Sequence, residues 1–73
     1  MRRNPIEPIY GQIAKRIQAE LKRQGKTAEK LAYESDLSKA LVYFLLAGKT
    51  RVSIHSLKKI ADGLEVPLKS LIP

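Results

Sequence analysis

Near the start of the chain Ile9, Ile13, Ile17 and Leu21 recur every fourth residue, with Ala14 beside them. That interval places them on one stripe of an α-helix, whereas a half-buried strand needs apolar and polar residues in alternation. Ile54, Leu57, Ile60, Ala61 and Leu64 form a second stripe at helical spacing. No segment carries strand alternation, so the pattern predicts an all-α chain. Its 73 residues leave room for one domain, and a domain that small buries only about 60% of its unfolded surface. The two stripes must therefore share one core. The chain has no cysteine, so no disulfide reinforces it.

The punctuation between the stripes sets the helix boundaries. "MRRNPIE" carries a proline and should form a flexible, extended N-terminal arm over residues 1–7, ahead of a single domain over residues 8–73. Pro8 suits the first helical position, where its missing N–H costs nothing, and Gly25 ends this first helix. Thr27 is a good N-cap for a short second helix from Ala28 to about Glu34, with Leu31 and Ala32 buried and Glu29 on the positive end of the helix dipole. "ESDLS" makes a turn, Ser38 caps a third helix over Lys39 to Ala47, and Gly48 suits the left-handed position behind it. Ser53 caps the fourth helix, and "VPLKSLI" supplies a final short one.

Charge narrows the partners. Lysine and arginine number 14 against 7 acidic residues, a formal net charge of +7 with a pI near 10.0, which points to a polyanion. No apolar run approaches the roughly 18 residues of a membrane span. Arg2 and Arg3 lead into Pro5 and Pro8 rather than an apolar signal core, so a cytoplasmic protein is expected. Between Leu37 and Ala61 there is no acidic residue, while Lys39, Lys49, Arg51, Lys58 and Lys59 all fall in that window. His55 is the single histidine. It has no carboxylate at triad spacing and no second soft ligand, so neither enzymatic catalysis, a metal nor another cofactor is expected.

Helices two and three joined by a tight turn make a helix-turn-helix, whose second helix can enter a DNA major groove. "TAEKLAYESDLSKALVYFLLAGKTRVSIHSLKKIADGLEVPLKSLI" resembles the Cro/CI-type (Xre, lambda-repressor-like) domain. The resemblance implies a compact five-helix fold and a small sequence-specific transcriptional regulator, most simply a repressor, bound to double-stranded DNA as a homodimer. By position it makes Lys39, Ala40, Tyr43 and Phe44 base-facing, and Thr27, Ser38, Lys49 and Arg51 phosphate-facing. The chain departs from the family pattern at three places. The reading face is unusually apolar, Ala28 stands where relatives often carry a glutamine, and Leu21 and Leu46 occupy the positions of a common Arg–Glu pair.

A helical wheel agrees with that assignment. With Val42 set inward, Ser38, Val42, Leu45 and Leu46 fall within about 60° of it, while Ala40, Tyr43, Phe44 and Ala47 point away. Lys39 can donate to guanine, and Ala40 and Phe44 can meet thymine methyls. The alternative is a protein-interaction module of antitoxin or anti-repressor type, with Tyr43 and Phe44 as an aromatic anchor and DNA binding weak or absent.

Overall fold

A computed structural model describes residues 8–73; the expected arm over residues 1–7 lies outside the described part. The helices are α1 (Pro8–Gln24), α2 (Ala28–Ser35), α3 (Lys39–Leu46) and α4 (Ile54–Leu64), followed by one 3-10 turn (Leu68–Leu71). Four α-helices are thus present rather than five. "VPLKSLI" is too short for a stable α-helical run behind Pro67, and it closes as a tighter single turn that still buries Leu71 completely.

The caps form where the side chains allow them. Thr27, Ser38 and Ser53 adopt extended backbone, and their hydroxyl oxygens accept from Lys30, Leu41 and Ser56 N–H at 3.1, 3.1 and 3.0 Å. α3 ends one residue earlier than expected, with Ala47 as its C-cap. Two helix ends use non-glycine residues in the left-handed region, Asp36 (φ 58°) behind α2 and Glu65 (φ 60°) behind α4.

Both stripes meet in one core built on Ile17, Leu31, Val42, Leu57, Ile60, Leu64 and Leu71, each with less than 2% or about 2% of its surface exposed. The stripes run past that core at their ends. Ile9 is 39% exposed and Ile54 65% exposed, so two positions expected inside lie on the surface. Each sits on the first turn of its helix, where no neighbouring element covers it. Leu46 is half-buried against the core, and its carbonyl accepts from the Gln18 side chain one turn before Leu21, which sets the end of α3 beside the middle of α1.

α2 packs on both α3 and α4. The α2–α4 contact is close: a Cβ placed on Gly63 would lie 2.5 Å from Ser35 Oγ. That hydroxyl is buried and has no hydrogen-bond partner. Lys26 ties the same corner, donating to the Glu34 carboxylate at 2.8 Å and to the Gly63 carbonyl at 3.2 Å.

Candidate nucleic-acid interface

Asp36, Leu37 and Ser38 form the turn between α2 and α3. The left-handed Asp36 lets its own N–H and that of Leu37 close on α2 carbonyls, so the chain reverses within three residues. Val42 and Leu45 then lock one face of α3 into the core. The opposite face is left outside, with Tyr43 53% and Phe44 57% exposed and Ala40 and Lys39 exposed beside them. The wheel therefore has the rotation right for the aromatics. It misplaces Ser38, which is exposed as the N-cap, and overstates Leu46.

Behind α3 the chain turns at Gly48, whose φ of +69° favours glycine. A Cβ there would also stand 3.2 Å from Gly11 Cα, so α1 presses directly on this turn. The Lys49 N–H returns to the Phe44 carbonyl at 3.1 Å, which anchors the loop to the last turn of α3. Lys49 and Arg51 are exposed on it. Thr27 and Ser38, expected at phosphates, are both exposed at helix N-termini with their oxygens already accepting from the backbone; each hydroxyl proton is still available to donate.

One contact at this surface was not legible from charge counting. Lys39 Nζ lies 2.8 Å from Glu29 Oε2, joining the first turn of α3 to the first turn of α2. The hydrogen bond from Lys39 and its charge hold the Glu29 carboxyl below the usual carboxylate range, and the same contact raises the lysine. Glu29 stands outside the acid-free window in sequence, although the helix-turn-helix brings it against the window's first lysine. Among the described residues no cluster of histidine, cysteine and carboxylates could hold a metal, and no helix is long and apolar enough to cross a membrane.

Two helices joined by a three-residue turn, the second presenting an acid-free outer face, define a helix-turn-helix protein. A helix-turn-helix family model matches residues 17–71, and the chain belongs to that family. It is similar to control protein C.BamHI of Bacillus amyloliquefaciens, with 32% identity over 69 residues covering 94% of this chain and 83% of the relative. Its fold matches the restriction-modification controller protein C.AhdI of Aeromonas hydrophila at a TM-score of 0.86, with 23% identity over 90% of this chain and all of the other. It also matches the controller protein C.Esp1396I, solved as a tetramer in complex with its natural 35 base-pair operator, at a TM-score of 0.80 and 28% identity, over 84% of this chain and 80% of that one.

Proposed function

We propose that this chain is a cytoplasmic, sequence-specific DNA-binding regulator of the restriction-modification controller type, laying α3 in a major groove. The observation that carries the reading is the outer face of α3: locked outward by Val42 and Leu45, it bears one cation, no acid and two aromatics, beside a loop bearing Lys49 and Arg51. In this reading Lys39 donates to guanine, Ala40 and Phe44 meet thymine methyls, and Tyr43 donates to a base or phosphate acceptor. Lys49, Arg51, Thr27 and Ser38 fix the register on the backbone, as phosphate contacts do, without reading sequence. A single domain reads few base pairs. The chain therefore acts as a homodimer on half-sites about 34 Å apart, in keeping with the assembly of C.Esp1396I on its operator.

The test is selection of bound duplexes from random DNA, followed by titration of the enriched site at several salt concentrations. The expected result is a repeated half-site motif and an affinity that falls steeply with salt. Absence of any enriched motif would overturn this reading, and would favour a protein partner on the Tyr43 and Phe44 face.

A further inference from the structure

We propose that Glu29 is a selectivity-determining residue: it holds Lys39 for a guanine edge and keeps it from random phosphates. The inference rests on the DNA-binding reading above and goes beyond it, because it assigns a role to an acidic residue on α2 that reads no base itself.

An unrestrained lysine does not choose between a base and a phosphate. Its ammonium is a compact point charge on a flexible stem with three donors, and it satisfies any phosphate within reach. Lys39 is not unrestrained: it is 2.8 Å from Glu29 Oε2, so one donor is spent and the stem is held toward α2. Two donors remain, which is the number of acceptors, O6 and N7, that guanine presents in the major groove. A guanine contact can therefore form with the ion pair intact. A phosphate contact brings a backbone of its own sign up to the Glu29 carboxylate, whereas the guanine edge carries no net charge. The two outcomes differ in cost, and the difference is selectivity.

The charges on this face act in the same direction. The outer face of α3 has a single cation, and Glu29 neutralises it in the free protein. Paired, it adds almost nothing to the counterion release that drives non-specific binding. Both side chains are well exposed, at 59% for Lys39 and 65% for Glu29. A pair that open is weak, so the selectivity it adds is modest.

The test compares the parent, Glu29→Gln, Lys39→Ala and the double variant on three duplexes: the selected site, the same site with its preferred guanine pair replaced, and random sequence. Thermal melts accompany all four proteins. Glu29→Gln should leave the melt nearly unchanged and raise affinity for random DNA severalfold. It should steepen the salt slope there by about one and lower discrimination at the guanine pair severalfold. With Lys39→Ala already present, Glu29→Gln should no longer change discrimination at that pair. Equal tightening on all three duplexes, additive with Lys39→Ala, would overturn the inference and reduce Glu29 to a simple repulsive charge. So would unchanged discrimination in a parent that does select a site. A parent that selects no site overturns the DNA-binding reading itself, and this inference with it.

Discussion

Ser35 and Gly63 meet where α2 packs on α4. The Ser35 hydroxyl is buried without a partner, and a buried polar group left so is destabilising relative to an apolar one of the same shape. Ser35→Ala should therefore raise stability by about 1 kcal/mol in thermal or denaturant melts. Gly63→Ala should lower it by about 1 to 3 kcal/mol through overpacking, because its Cβ would stand 2.5 Å from Ser35 Oγ. Combining the two should recover part of that loss, since the first removes the atom the second strikes. Phe44 is the opposite case. At 57% exposed it fills no cavity, and Phe44→Ala should change stability by less than about 1 kcal/mol. On the selected site, however, it should cost about 1 to 3 kcal/mol of binding, with much less loss on random DNA. A large fall in melting temperature would show Phe44 to be part of the core. Acid acts on Glu34, whose carboxyl is held below its usual range first by the Lys26 hydrogen bond. Because the folded value is depressed, its contribution is present above the unfolded carboxylate value and is lost as pH falls through the folded one. Glu34→Gln should thus narrow the stability difference between neutral and mildly acidic solution, measured by melts across that range.

At the scale of elements, local chemistry was legible and tertiary chemistry was not. Thr27, Ser38, Ser53, Gly25 and Gly48 mark helix ends because capping oxygens and left-handed glycines act within a few residues, and each sits where the sequence places it. The left-handed Asp36 is a local cap made without the glycine that usually signals one, and the unsupported first turns at Ile9 and Ile54 depend on what lies across the fold, which periodicity does not report. The same holds for the candidate site. The exposed face of α3 follows from a wheel, whereas the Glu29–Lys39 pair joins residues ten apart that only the helix-turn-helix brings together. The loop after α3 is the element with the clearest expected signature. Gly48 pressed on Gly11 and the Lys49 N–H bonded to Phe44 fix its backbone, so exposed Lys49 and Arg51 keep one register relative to α3. Lys49→Ala and Arg51→Ala should each weaken binding to every sequence alike and flatten the salt slope by about one. Unchanged slopes in both variants would remove the loop from the interface.

For the whole molecule, the strong positive charge works against the homodimer proposed above. A net charge of +7 draws the chain to DNA and keeps copies apart in solution. In the proposed dimer DNA would offset that repulsion by neutralising both copies, and an apolar contact between them would supply the rest. The surface suited to it is an open cavity of about 260 Å³ lined by Ile9, Tyr10, Ile13, Val52, Ile54, Leu57 and Ile72, with no charged residue among them. Ile54 stands at its edge, 65% exposed. In a two-fold interface each copy contributes the same patch, so one substitution acts twice. Fully burying an isoleucine contributes about 1.5 to 3 kcal/mol. Ile54→Ser removes that apolar surface without adding charge, and its exposure means that the monomer should lose little stability. The expected outcome is a tenfold or greater loss of affinity for a duplex with two half-sites, and unchanged affinity for a duplex with one. Equal loss on both duplexes would mean that Ile54 supports the fold of the reading helix. No loss on either would place the contact between copies on another face of the molecule.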